Sequence, residues 1–340
     1  MNSDAENVRE AAVEHRASAI LAPRPDGSKD PLDEEHARRV APSRLTFKQK
    51  RTLTYGLFLL GPVILFVGAF VYPIIDTIIL SLHEWDGISV ERTFVGLENY
   101  RILFGLDRFH HALANNLRWL AFYLVVPTLA GLGLALLLDS DVRGTYVFRT
   151  IFFIPFTITT VAVASAWRWL YEPTAGLFTT VLTALGLARY NQNWLGDPQI
   201  VTYSIMAAKL WAWSGFTFLI YFSGLRNLPA EYIEAARIDG ASPLAVLMRI
   251  KLPLLWPSTI VILGIAGVDS MRVFDIVWSM TQGGPFESSS VLAVAMYETS
   301  FSRFLMGQGA AFAVALLMLA AVVVMPYIYY LSSRVEDIRE

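Results

Sequence analysis

Six apolar runs constrain this chain more than any other feature, and they lie near Leu53–Leu82, Leu117–Leu138, Thr150–Leu170, Val201–Leu225, Leu254–Met280 and Gly309–Leu331. Each holds about 20 residues or more, enough for a helix rising about 1.5 Å per residue to cross a hydrocarbon layer of about 30 Å. In hydrocarbon every backbone N–H and C=O must find its partner inside the segment, which for an isolated run leaves only the helix. A hydrophobic content of 55%, a charged content of 16% and a mean hydropathy of +0.47 agree with this. The expectation is an all-α polytopic membrane protein with six transmembrane helices.

Basic residues accumulate on the cytoplasmic side of a membrane, so they set the orientation. With the amino terminus inside, the inner segments carry roughly 18 Lys and Arg and the outer loops roughly 5, with Arg118, Arg168, Lys209 and Arg272 in or at the ends of spans. Residues 1–50 mix both charge signs with Ala, Pro and Ser and show no sustained apolar period, and are expected to form a disordered cytoplasmic tail. No apolar core lies near the start, so the first run is expected to stay in place as a span and not to be a cleaved signal. The membrane domain then covers residues 51–335.

The polar loop 228–253 falls on the inner side between the fourth and fifth spans. Pro229 suits a first helical turn, Gly240 suits a left-handed helix end, and a short helix is predicted from about Ala230 to Asp239. Ser242 can cap the next helix, Pro243 presets its first dihedral, and Pro253 is predicted to break it where the chain re-enters the membrane. Two short helices at a sharp angle result.

Read as EAARIDGASPLAVLMRIKLP, from Glu234 to Pro253, this loop closely resembles the EAA loop of permease subunits in binding-protein-dependent, ATP-driven (ABC) importers. The matching residues are Glu234, Ala235, Ala236, Asp239, Gly240, Ala241, Ile250 and Pro253, with Leu247 where the family usually has Phe. FVGLENY at Phe94–Tyr100, TQGGP at Thr281–Pro285 and the pair Phe274-Asp275 resemble the sugar-importing branch. The resemblance implies the type I ABC importer transmembrane fold, with the EAA loop docking on a cytoplasmic ATPase. In that role Glu234 is the charged contact, Ala235 and Ala236 keep the docking face slim, and Gly240 makes the turn. It further implies a second permease subunit as heterodimer partner, two cytoplasmic ATPase subunits that bind ATP and Mg, and an extracytoplasmic sugar-binding protein. The expected location is a bacterial or archaeal plasma (inner) membrane, and the expected cargo a carbohydrate.

The residues exclude several other chemistries. Lys29, Lys48, Lys50, Lys209 and Lys251 all follow something other than glycine, so the chain has no P-loop and the ATP must be handled by a partner. There are no cysteines, which excludes disulfides, thiolate metal sites and cysteine nucleophiles, and His15, His36, His83, His110 and His111 show no spacing for a zinc site; the resemblance implies a chain with no catalytic site and no cofactor of its own. The net charge of -2 and the absence of a long basic stripe give no reason to expect nucleic acid.

Ionisable groups within spans are costly and by default face a water-filled path or each other. Asp269, Arg272 and Asp275 lie three apart in the fifth run, as one stripe of alternating sign if the helix is continuous. Asp269 and Arg272 could equally neutralise each other as a pair within one helix turn. The fourth run adds Lys209, Trp211, Trp213 and Phe216. Aromatic rings can stack on the apolar face of a sugar while carboxylates accept its hydroxyl protons, which makes these seven residues candidates for a substrate path. Aromatics in spans more often meet lipid or core, and the Lys209 stem could simply carry its charge to the interface. Glycerol phosphate or another small solute is the alternative cargo. An ion-coupled secondary transporter using Asp269 and Asp275 as relay, and a non-transporting membrane scaffold, are the alternatives of a different class.

Overall fold

The computed structural model describes residues 47–139 and 144–336, so the expected tail lies almost entirely outside the described residues. The chain divides into two compact units, one ending at Val71 and the other beginning at Tyr72. The first unit contributes α1, Phe47–Phe66, followed by a π turn at Val67–Val71. The second starts with α2, Tyr72–Leu80, and the run Thr54–Leu80 is long and apolar enough to span a membrane.

Among the described residues, four such runs occur, the others being α4, Asp107–Asp139, α8, Val201–Arg226, and the greater part of α15, Met306–Glu336. The remaining two expected spans are bent. The third consists of α5, Thr145–Thr157, and α6, Thr160–Leu170, set at 100°. Ile158 and Thr159 are both extended at the corner, within a run of β-branched residues just after Pro155 that favours extended backbone over helix. The fifth enters through α10, Pro243–Val246, a π turn at Leu247–Lys251 and α11, Leu252–Leu254, and then bends by 61° into α12, Trp256–Met271.

Two expectations are corrected here. Pro253 does not end its helix. The π turn before it, in which the Leu252 N–H donates to the Leu247 carbonyl, loosens the helix where Pro253 has no N–H to give, and the bend falls at Leu255. Pro257 follows immediately, and its ring would clash with the Pro253 carbonyl in a straight helix. The fifth run is also not one helix to Met280, because α12 stops at Met271 and α13, Asp275–Thr281, begins anew.

The connections after the first, third and fifth runs are built. A two-stranded hairpin pairs β1, His83–Glu84, with β2, Thr93–Phe94, and α3, Glu98–Gly105, follows. Asn99 of the FVGLENY string donates to the carbonyls of Ser81 and His83, each at 2.9 Å, and so fastens the hairpin base. Arg92 lies 4.5 Å above the Trp85 ring. At the hairpin tip the Asp86 carboxylate accepts the backbone N–H groups of Ser89 and Ile88 and the Ser89 hydroxyl, which together hold its pKa down from 3.8 to about 2. A depressed carboxylate contributes its full stability above its ordinary pKa, so this contribution to the turn fades as pH falls from 3.8 through about 2.

Leu177–Ala184 forms α7, the short helix expected after the third span. The TQGGP segment is a turn, with Gln282 and Gly283 both in the left-handed region and a cis bond at Gly284–Pro285. Buried Asn115 of α4 donates to the Ser288 and Ser290 carbonyls at 2.8 Å, fixing this turn against the amino-terminal part of α4 ahead of α14, Leu292–Tyr297. Lower down, α4 and α8 pack backbone against backbone, since a Cβ at Gly131 would collide with Thr217. The main core forms around Trp119 and Tyr123 of α4, Ile205 and Trp213 of α8, and Ala266, Val273 and Val277 from the fifth run.

Candidate functional site

The α8 positions Lys209, Ala212, Trp213 and Phe216 recur at the spacing of one helix face, and all four line a cavity of about 480 Å³. The opposite wall comes from the broken fifth run, with Ile265 and Asp269 from α12, then Arg272, Val273 and Phe274 at the break and Asp275 at the start of α13. Tyr123 of α4 and the 100° corner, through Phe156, Ile158, Thr160 and Val163, complete the lining. The cavity therefore sits where two interrupted helices meet an uninterrupted one. Such irregular backbone is tolerated at membrane depth where it lines a cavity.

Six of the seven residues expected from sequence come together here: Lys209, Trp213, Phe216, Asp269, Arg272 and Asp275. Trp211 does not. It lies two residues from Lys209, off the stripe, with 42% of its surface exposed and its ring 6.1 Å from that of Trp167. The single stripe expected for Asp269, Arg272 and Asp275 is interrupted because Arg272 lies outside α12, its N–H donating to the Asp269 carbonyl at 3.1 Å. Among the described residues no ion pair within 4.0 Å joins Asp269 to Arg272, since the helix turn that would align the two side chains ends one residue too soon.

The lining combines flat apolar faces with unengaged polar groups. Phe156 and Phe216 stack at 5.1 Å, Tyr123 meets Trp213 edge-on at 5.3 Å, and Lys209 lies 5.5 Å from the Trp213 ring centre. Among the described residues the carboxylates of Asp269 and Asp275 have no hydrogen-bond donor, and the buried indole N–H of Trp213 has no acceptor. Acceptors, donors and ring faces are thus all available to a polyhydroxylated guest. Sequence reasoning missed Tyr123, Phe156 and Thr160, and marked Phe274 only as part of a family signature beside Asp275. Pro155 followed by Thr157, Ile158, Thr159 and Thr160 was the available signal for the corner; no comparable signal marked Tyr123.

The second group of expected residues forms the 228–253 loop. Its first helix is α9, Ala230–Ile238, with Pro229 just before it. Gly240 has φ +82, and the N–H groups of Gly240 and Ala241 reach back to the carbonyls of Arg237 at 3.1 Å and Ala236 at 2.9 Å. This paired closure is a Schellman turn, which needs a left-handed residue where Gly240 stands. Ser242 caps α10 by accepting the Ala245 N–H at 3.3 Å. Glu234, Ala235, Asp239 and Gly240 are exposed, Ala236, Ala241 and Ile250 half-buried, and Ile238, Leu244 and Met248 present exposed apolar side chains beside them. Among the described residues no group of three or more His, Asp or Glu side chains could hold a metal ion.

Residues 127–336 match the family model described as binding-protein-dependent transport system inner membrane component. The chain is 38% identical over 279 residues to a protein of Pyrococcus horikoshii named as a probable ABC transporter permease, covering 82% of this chain and 96% of that one. It is 33% identical to the trehalose/maltose transport system permease protein MalF of Thermococcus litoralis, covering 75% of this chain and 86% of the other. The alpha-glucoside transport system permease protein AglF of Rhizobium meliloti is also 33% identical, with 77% and 78% covered. Among solved structures, a bacterial ABC transporter involved in the import of the acidic polysaccharide alginate has a chain of the same fold, with a TM-score of 0.73 and 22% identity over 84% of this chain and 96% of that one.

Proposed function

Because this chain belongs to the binding-protein-dependent transport system inner membrane component family, we propose that its cavity passes a carbohydrate and that its 228–253 loop couples that passage to ATP hydrolysis. The chain is a multi-pass permease subunit of an ABC importer in the inner membrane, and it is not an enzyme. The observation carrying the carbohydrate reading is the cavity itself, where Phe156, Trp213 and Phe216 offer ring faces beside the unengaged carboxylates of Asp269 and Asp275. Relatives named for trehalose and maltose, for xylose and arabinose, and for alpha-glucosides support the same class.

In this reading Glu234 meets a cation on a cytoplasmic ATPase, and Ala235, Ala236, Asp239, Gly240, Ala241, Ile250 and Pro253 shape the loop that docks there. The full assembly holds a second permease subunit, two ATPases that bind ATP and Mg, and an extracytoplasmic binding protein that delivers the sugar. A solved alginate transporter is described in complex with a pentasaccharide-bound periplasmic protein, which supports the last of these. Closure of the ATPases displaces the loop, and the broken helices switch the cavity from outward to inward access. Such a switch requires ATP to bind more favourably to one state than to the other.

Proteoliposomes holding the complete transporter test the reading, with labelled maltose, trehalose and xylose as probes and alginate oligosaccharide as an acidic comparison. Accumulation of a neutral sugar is expected only with ATP and the ATPase subunits present. Accumulation driven by a proton gradient without ATPase would favour the ion-coupled scheme instead.

The orientation is tested separately, because the cysteine-free sequence is a clean background for labelling. Single cysteines at exposed Ser89 and Ser242 are expected to react with an impermeant thiol reagent from opposite sides, Ser89 from outside and Ser242 only after the membrane is opened. Reaction of both from one side would overturn the cytoplasmic placement of the amino terminus and of the 228–253 loop.

A further inference from the structure

We propose that the ion pair between Asp139 and Lys251 is a positioning contact that carries displacement of the 228–253 loop into α4, and through α4 to the cavity wall at Tyr123. The proposal rests on the coupling role given to that loop above. Asp139 is the last residue of the 33-residue helix α4, and no basic residue stands in that helix's final turn. A carboxylate at this end faces the negative pole of the helix dipole and is unfavourable there unless a cation answers it. Lys251, closing the π turn directly after the coupling helices, supplies that cation by donating to Asp139 Oδ2. Both side chains are about four-fifths buried, with 18% and 20% of their surface exposed, so solvent screens the pair far less than an open surface pair.

The pair bridges a joint that apolar packing leaves partly open. Together with Leu136, Arg237, Ala241, Pro243, Val246 and Leu247 it lines a second cavity, of about 270 Å³, between the end of α4 and the loop. Movement of the loop is therefore not passed to α4 by close packing alone.

Above this joint α4 has its own weak point. Pro127 has no N–H, which deprives the Tyr123 carbonyl of its helical donor, and the Thr128 hydroxyl reaches it only at 3.4 Å. Thr217 of α8 holds the Pro127 carbonyl at 2.8 Å, fixing the chain at that level. Tyr123 lies about 24 Å along the axis from Asp139 at 1.5 Å per residue. The loop is thus joined to two walls of the main cavity, covalently through the Leu255 bend to α12 with Asp269, and through Lys251 to α4 with Tyr123. Coupling over such a distance travels through ion pairs and rigid helices of this kind.

The test uses the complete transporter in proteoliposomes with its ATPase subunits and binding protein. Lys251→Met and Asp139→Asn are each expected to lower binding-protein-stimulated ATP hydrolysis about fivefold or more, with assembly and basal hydrolysis unchanged. The exchange Asp139→Lys with Lys251→Asp keeps the attraction and places the cation where the dipole favours it, and is expected to recover about half of the stimulation or more. Normal stimulation in the single variants, a parallel loss of assembly and basal hydrolysis, or no recovery in the exchange would each overturn the proposal. Glu234→Lys, measured alongside, separates the two levels. Lost stimulation in that variant with normal single variants overturns the ion-pair role alone, whereas normal stimulation in it overturns the coupling reading and this proposal with it.

Discussion

Replacing Gly240 by Val is expected to leave the chain inserted and assembled while uptake and stimulated ATP hydrolysis fall about tenfold or more, and Glu234→Lys is expected to do the same for a different reason. No atom lies within 4 Å of the position a Cβ would take at Gly240, so the valine meets no steric obstacle. The cost lies in the backbone at φ +82, where a β-branched residue is strained by about 1–3 kcal/mol. Each 1.4 kcal/mol is about a factor of ten in an equilibrium, so the population of correctly turned loop drops accordingly. Gly240→Asn is the matched control, because Asn tolerates the left-handed region and is expected to retain most of the coupling. In Glu234→Lys the turn is untouched and the charge is reversed, so repulsion replaces attraction at the ATPase surface. Full uptake in both Gly240→Val and Glu234→Lys would show that the loop is merely interfacial.

Asp275→Ala is expected to reduce uptake about tenfold or more, with assembly and basal ATP hydrolysis retained. Its carboxylate is exposed to the cavity and accepts no hydrogen bond among the described residues, so its removal breaks none inside the chain, and the main loss falls on the cargo. Hydrogen bonds to a charged group are worth about 1.5–3 kcal/mol, which sets that magnitude. Asp269→Ala is the sharper comparison. Asp269 is half-buried in a cavity that Lys209 and Arg272 also line, and among the described residues it has no ion pair with Arg272 within 4.0 Å. Asp269→Ala is therefore expected to reduce uptake and to disturb the Lys209 side of the cavity as well. Wild-type uptake in Asp275→Ala would remove that residue from the path and leave Trp213 and Phe216 as the groups to test next.

The coupling loop was legible in the sequence because its determinants are local. A left-handed glycine, a capping serine and a proline at the first helical position act within one or two turns, and Gly240, Ser242 and Pro243 stand where those rules place them. The fourth span was legible for a related reason, because a run of helical length is bounded by Asp197 and Gln199 before it and by Arg226 and Asn227 after it, giving Val201–Arg226 almost to the residue. The breaks were less so. Asp269, Arg272 and Asp275 read as one stripe only on the assumption of an unbroken helix, and nothing local in Met271–Phe274 announces that α12 ends there. Pro253 misled because a proline's effect depends on whether the preceding turn has already loosened, which single-residue preference does not register. Trp211 could have been set aside from sequence alone, since Lys209, Trp213 and Phe216 share a helical face and residue 211 lies off it.

The cavity's charges have an electrical consequence. Its two cations, Lys209 and Arg272, match its two carboxylates, Asp269 and Asp275, in number. Moving one uncompensated elementary charge through a membrane potential costs or releases about 2.3 kcal/mol per 100 mV. An uncharged sugar passing a lining that sums to zero carries no net charge through that field. For the neutral sugar proposed above, the membrane voltage then neither drives the cargo inward nor holds it back, and its accumulation against a gradient is expected to draw on ATP alone.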